Sequence, residues 1–452
     1  MQKLWLRFCA LASVVACAAL LSACGGGGGG DSTTTTITGS GLSNLGLSPA
    51  VALPFVQTAN NLPVKVEDGP HAFQFTPNAN ILYATVTVCV PGDATRCQTI
   101  DHVQVDTGSV GLRVLASKVK ALNLPPVTLA QSPTQNAWEC FPFVIGGLWG
   151  ANAVADVVLG QQTATAVPVQ LIEDNPNAAI GYTPDCYSAA DGAILDSAAT
   201  LGSNGILGIG STTLDCGLNC VAGNYSGSFV QYYSCPQGAT SSAACTPAAV
   251  PANLQVYNPV AALPSPYNNG VVLKMPAVGD PGAASASGEL ILGLNTAANN
   301  TVPANATKVL LGVDYVNHPD AYLNVSTLYN GTRFAASYLD TGTNGIFFTD
   351  AALPRCQGST WYCPKATLNL NATLSDGDNP ALNPVAVSFQ IGNAEGLFAT
   401  SNTAFGDAAG ATPTAASSFA WGMPFFYGRQ VYLAIWQQAG ALTAPWYAWA
   451  PL

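Results

Sequence analysis

The residues best suited to chemistry stand in two matching segments. His102 to Val114 and Ala336 to Phe348 each bring an apolar run into Asp-Thr-Gly. A Ser or Thr, one variable residue, a glycine and a second apolar run follow. The aspartates, Asp106 and Asp340, are 234 residues apart, enough chain for one lobe each. A lone Asp-x-Gly is more often a turn than a site, but two copies with matching flanks carry far more information. Two carboxylates in one site cannot both ionise cheaply, so the pair holds one proton. The ionised member can take a proton from water as it attacks a carbonyl, while the protonated member donates to the carbonyl oxygen. Gly108 and Gly342 let the backbone turn tightly and aim amide donors at the carboxylates.

Strands must hold such turns. Short runs rich in Val, Ile, Leu and Tyr alternate with Gly, Pro, Asn and Asp: Ile81 to Val90, Ala155 to Leu159, Pro168 to Ile172, Glu289 to Leu292, Lys308 to Val313, Val387 to Ile391 and Gln430 to Ile435. Helical spacing is confined to a turn or two at Ser117 to Leu122 and Asp350 to Leu353. With 45 Gly and 31 Pro in 452 residues, the composition is that of a turn-rich β protein, and the length admits roughly two to three domains. Residues 211 to 288, with four cysteines and many small polar residues, read as surface insertions with a few strands between them.

The charge balance excludes several classes. Only 8% of residues are charged, with 13 Lys+Arg against 24 Asp+Glu. That is no footprint for nucleic acid. At 49% hydrophobic residues the chain is not a disordered acidic one, and it lacks the composition of a coiled coil. His71, His102 and His318 stand in no metal-ligand spacing, so neither a metal nor a cofactor is expected. A dyad that needs no histidine suits this inventory, and scarce positive charge suits work at mildly acid pH.

The two Asp-Thr-Gly turns resemble those of the pepsin-like aspartic peptidases. The resemblance implies an all-β, mainly antiparallel, bilobal acid protease fold with a cleft between the lobes. It also implies that Asp106 and Asp340 are catalytic, with Thr107, Gly108, Ser109, Thr341, Gly342 and Thr343 supporting them, and that the two threonines cross-link the turns beneath the dyad. Gly205 to Gly210 resembles the segment that threads beside the first turn. Trp421 to Trp436 resembles the closing strand pair of the second lobe, although Met423-Pro424 departs from the usual wording. Ser287 to Asn295 resembles the strand that ends the first lobe. Phe143 to Gly150 sits where the family has its flap hairpin, which makes Phe143, Gly146 and Arg113 flap or cleft candidates. The family's flap tyrosine is replaced by Phe143, with Tyr182 and Trp138 as stand-ins. Arg113 replaces a tryptophan, either near the dyad, where it would favour ionised carboxylates, or solvated on a strand edge. The chain also resembles an uncharacterised family of proteobacterial lipoproteins.

Lys3 and Arg7, then the apolar stretch Phe8 to Leu21 and Leu-Ser-Ala-Cys at Leu21 to Cys24, read as a lipoprotein signal peptide over residues 1–23. Cys24 is then the lipidated residue, and a Gly- and Thr-rich tether runs through 24–59. An N-terminal lobe is expected over 60–304 and a C-terminal lobe over 305–452. Ten further cysteines form an even set in an exported chain. Short loops favour Cys89 with Cys97, Cys216 with Cys220, Cys235 with Cys245 and Cys356 with Cys363, which leaves Cys140 and Cys186.

These readings converge on a monomeric, envelope-anchored aspartic endopeptidase acting on polypeptide. Its anchor would be at the outer membrane, facing the periplasm or the cell surface, with a lipid as the only membrane contact. The alternative is an inactive module of the same fold that holds a polypeptide or glycan in the cleft. An adhesive β-sandwich with coincidental motifs ranks third, and a Ser–His–Asp hydrolase lacks its Gly-x-Ser-x-Gly.

Overall fold

The computed structural model describes residues 48–70, 78–129, 134–174, 181–183, 186, 193–223, 230–314, 317, 323–412, 417–436 and 444–452. The signal peptide, Cys24, most of the tether, His71 and His318 lie outside these residues. Among the described residues no helix is long and apolar enough to cross a membrane.

The chain is all-β, as expected, with few short helices and two sheets. Among the described residues one sheet has 16 strands and the other seven. Apolar residues cover the inner faces. One buried cluster takes in Leu62, Leu273 and Trp449 from the larger sheet and Val325, Leu374 and Phe419 from the smaller, so both sheets share a core. The strand expectations map closely: Leu82–Val90, Gly146–Leu159, Gln162–Ile172, Ala286–Leu292, Thr307–Leu310, Val385–Ile391 and Arg429–Ala434. Ser117 to Leu122 falls in a helical turn, Ala116–Val119, continued by Lys120–Leu122. Asp350 to Leu353 is only a turn, because the Asp350 carboxylate accepts the Ala352 amide at 2.8 Å and favours a local loop over helix.

Two strand pairings are built the same way. Asp93–Asp106 runs parallel to Gly205–Ile209, which runs antiparallel to Val110–Leu115. Thr332–Leu339 runs parallel to Ser418–Trp421, which runs antiparallel to Ile346–Phe347. Each Asp-Thr-Gly therefore ends a strand that is paired with a later segment threaded between the arms of its turn. Space at the threading point is tight. A Cβ on Gly208 would meet Val110 backbone at 2.7 Å, and one on Gly422 would meet the Gly345 carbonyl at 2.1 Å. The strands at either end of Trp421 to Trp436 do not pair with each other, contrary to expectation. Ser418–Trp421 stays in the seven-stranded sheet, a helical turn at Met423–Phe425 redirects the chain, and Arg429–Ala434 joins the other sheet.

The segment 211–288 is not all surface. Gly270–Met275 is a buried strand between Ala286–Leu292 and Arg429–Ala434. Its apolar run, Val271 to Leu273, is buried on both faces and belongs to the core. Among the described residues five disulfides pair Cys89–Cys97, Cys140–Cys186, Cys216–Cys220, Cys235–Cys245 and Cys356–Cys363.

Candidate active site

The two turns meet. The Asp106 and Asp340 carboxyl groups converge on one point: a Cβ built on Gly342 would lie 2.7 Å from Asp106 Oδ1 and 3.0 Å from Asp340 Oδ1. A Cβ built on Gly108 would lie 2.6 Å from the Asp340 carboxyl carbon. Any larger residue at either glycine would push the opposite carboxyl away.

Each carboxyl is braced by its own turn. Gly108 N donates to Asp106 Oδ1 at 2.8 Å, and Gly342 N donates to Asp340 Oδ1 at 2.7 Å. Ser109 Oγ donates to Asp106 Oδ2 at 2.5 Å, and Thr343 Oγ1 donates to Asp340 Oδ2 at 2.6 Å. Asp106 alone takes a third bond, from Ser109 N at 3.1 Å. Beneath them Thr107 and Thr341 are interlocked. Each hydroxyl accepts the other's backbone amide, at 3.0 and 3.1 Å, and donates across to a carbonyl, Thr107 to Leu339 and Thr341 to Val105. Both threonines are buried, so these four bonds form away from water, where leaving any of them unmade is expensive.

Burial and the neighbouring Asp106 carboxylate hold the Asp340 carboxyl well above the usual carboxylate range. Two tyrosines that sequence reasoning did not single out lie close by. Tyr338 and Tyr447 are held above the usual tyrosine range by burial first and then by the negative charge of the dyad. Nothing in their local sequence marks them, because Tyr447 reaches the site from a strand more than a hundred residues beyond the second turn.

The flap candidates form a hairpin, Gln135–Phe143 paired with Gly146–Leu159. Its tip, Val144 and Ile145, is 65% and 56% exposed. Gly146 has a φ of +154° and packs where a Cβ would meet the Ala193 carbonyl at 2.8 Å. The Phe143 ring lies 5.0 Å from that of Phe141 and packs against the cluster around Leu115 and Leu148. Trp138 and Tyr182 belong to a cluster with Trp149 and the Cys140–Cys186 bridge, behind the hairpin tip.

Arg113 departs from both expectations. It is neither solvated nor bonded to the dyad. It is fully buried, donates to Glu139 Oε1 at 2.8 Å and to Asp215 Oδ2 at 2.9 Å, and lies 3.8 Å over the Phe141 ring. Gln231 and the Tyr232 hydroxyl add further bonds to the acids. Burial pulls the guanidinium pKa down, but Glu139 and Asp215 outweigh it and the net shift is upward. Burial and the Glu139 carboxylate push Asp215 well above its usual range. Arg113, Glu139 and Asp215 form a buried ion-paired cluster. It ties the strand after the first Asp-Thr-Gly to the flap strand and to the Cys-rich segment.

Among the described residues no group of His, Cys, Asp and Glu is arranged to hold a metal ion. No curated protein matches the sequence. The crystal structure of the aspartic proteinase from Irpex lacteus is similar to the chain, with a TM-score of 0.46 and 12% identity over 87% of this chain and 97% of that one. The match that covers most of the sequence, residues 56–449, places the chain in the family described as Protein of unknown function (DUF3443).

Proposed function

We propose that this protein is an aspartic-type endopeptidase that hydrolyses peptide bonds with a water activated between Asp106 and Asp340. The observation that carries the reading is the convergence of two carboxyl groups, each braced by matching donors from its own glycine turn. Asp106 accepts three bonds from its turn and Asp340 two, so Asp106 is the base and Asp340 keeps the proton. Asp106 takes a proton from water as the water oxygen bonds to the peptide carbon, and Asp340 gives its proton to the carbonyl oxygen. The tetrahedral diol returns one hydroxyl proton to Asp340. The C–N bond breaks as the amine takes the proton held by Asp106, and the dyad is restored.

The test is incubation of the mature chain with a denatured protein between pH 3 and 7. Asp106→Asn and Asp340→Asn serve as controls, with a transition-state-mimicking aspartic peptidase inhibitor in parallel. Cleavage that both substitutions abolish is the expected result, and cleavage that survives both overturns the mechanism. A second reading, a non-hydrolytic module that holds polypeptide in the same place, is favoured by the flap, where Phe143 is packed on Phe141 and brings no hydroxyl. Saturable polypeptide binding by a folded chain that cleaves nothing would select it.

The site of action is proposed to be the cell envelope, with Cys24 carrying the lipid. Metabolic labelling with a fatty acid should mark the wild-type chain and not Cys24→Ser.

A further inference from the structure

Just before the strand Leu82–Val90, the chain is pinned to residues far along the sequence. Ala79 packs in a buried cluster with Leu397, Phe405 and Ala408. The next residue, Asn80, is fully buried, and its side chain fills all four of its hydrogen-bonding positions. Nδ2 donates to the Asn344 and Phe405 carbonyls, each at 2.9 Å. Oδ1 accepts from the Phe405 amide and the Tyr427 hydroxyl, each at 2.8 Å. The Asn80 amide donates to the Thr403 carbonyl at 2.7 Å. Its φ is +59°, in the left-handed region where asparagine is enriched.

Asn344 is the fourth residue after Asp340, on the outgoing arm of the second turn. Its neighbour Thr343 carries the hydroxyl that braces Asp340. The bond from Asn80 therefore holds the arm that holds the carboxyl. The first turn is held at the matching point. Val110 is the fourth residue after Asp106, and its carbonyl accepts from Arg113 Nη1. Arg113 stands three residues beyond that carbonyl, so the first turn supplies its own donor. The second turn has Phe347 at the equivalent position, a side chain with nothing to donate. Asn80, 264 residues before Asn344, makes that bond instead.

We propose that Asn80 is a positioning residue for the dyad, holding the second Asp-Thr-Gly turn in register with the first; the role rests on the peptidase reading above. None of its hydrogen bonds reaches a carboxyl, so it acts through Asn344 and Thr343. Without it the outgoing arm is free to shift. The Thr343 hydroxyl then leaves Asp340 Oδ2, and Gly342 loses the close approach to Asp106 that sets the spacing of the two carboxyls. A displacement of about 1 Å that originates far from the chemistry lowers a rate about 100-fold.

The experiment compares variants of the mature chain by kcat and KM on denatured albumin and by their urea midpoints. Asn80→Gly, which tolerates the left-handed backbone, should lower kcat by about 10- to 100-fold and leave KM within about twofold. Asn80→Asp keeps the oxygen that accepts from Phe405 and Tyr427 and loses the nitrogen that donates to Asn344. It should show the same loss of kcat, and it carries the test where the glycine variant does not fold. Tyr427→Phe removes one bond to Asn80 and keeps the one to Asn344, so its kcat should stay within about twofold. Asn300 is the control for burial alone. It is as buried as Asn80 and its side chain also makes four bonds, to Leu292, Thr296 and Ala297. Asn300→Ala should lower the urea midpoint and leave kcat unchanged. An unchanged kcat in both Asn80 variants, a rise in KM alone, or an equal loss of kcat in Asn300→Ala would each overturn the proposal. A wild-type chain that cleaves nothing sinks the peptidase reading instead, and the brace is then read from stability. The part of the pH dependence of the urea midpoint that Asp340→Asn removes should be smaller in the Asn80→Gly background, because the two carboxyls are no longer held together. An undiminished part would overturn the brace.

Discussion

Asp340 shows how a single residue couples the proposed chemistry to stability. Its folded-state pKa lies above its unfolded value, because burial and Asp106 disfavour its charge. The folded chain therefore binds the extra proton more tightly, and stability falls as pH rises from the ordinary carboxylate range through the raised value. Asp340→Asn removes that penalty. The variant should melt higher than wild type at pH 7, and the two should converge near pH 4, while peptide hydrolysis drops at least about 100-fold. A lower melting temperature at pH 7 would mean that the carboxyl's hydrogen bonds outweigh its charge. Asp407 obeys the same rule away from the dyad. It is buried, its Oδ2 has no hydrogen-bond partner among the described residues, and burial followed by the Asp280 charge raises its carboxyl to about 6. Stability should fall between about pH 4 and 6. Asp407→Asn should recover about 1–2 kcal/mol above that window and nothing below it, as read from urea melts at several pH values.

At the scale of elements, the two glycine turns were legible in the sequence because their chemistry is local. Asp, Gly and the following hydroxyl residue bond one another within three positions. What surrounds Arg113 was not legible. Its acids are 26 and 102 residues away, and only the paired strands bring them together. The placing of Gly270–Met275 was not legible for a related reason. A few strands were expected within 211–288, but the pairing of this one with a strand near residue 430 is not written in its local sequence. The Arg113 cluster joins three elements, so breaking it should loosen all of them. Arg113→Met leaves two buried acids without their counter-charge and should cost about 3–5 kcal/mol. The triple variant Arg113→Met, Glu139→Gln, Asp215→Asn replaces charges with neutral groups and should recover most of that loss. Urea unfolding with an unchanged m-value is the measurement, and a triple variant no more stable than the single one would show that the cluster's worth lies in its packing rather than in its charges.

On the scale of the whole molecule, the sheets do not respect the order of the chain. The 16-stranded sheet takes Thr307–Leu310, Arg429–Ala434 and Trp446–Pro451 from beyond residue 305, and Arg429–Ala434 pairs directly with Gly270–Met275. The interlocked threonines join the same two portions of chain at the dyad. A fragment ending at residue 304 would bare the buried strand Gly270–Met275 along one edge, an aggregation-prone arrangement for an apolar strand. The fragment 305–452 would carry Arg429–Ala434 without its partner strand Gly270–Met275. The mature chain should therefore melt in a single calorimetric transition with equal calorimetric and van't Hoff enthalpies. The fragments 48–304 and 305–452 should each lack a cooperative melt and regain one when refolded together. Two separate transitions in the intact chain, or a cooperative melt of either fragment alone, would show that the shared sheet is not what couples the lobes. In that event the dyad would depend on the threonine cross-link alone, and Thr107→Val with Thr341→Val would then separate the two carboxyl groups without unfolding either lobe.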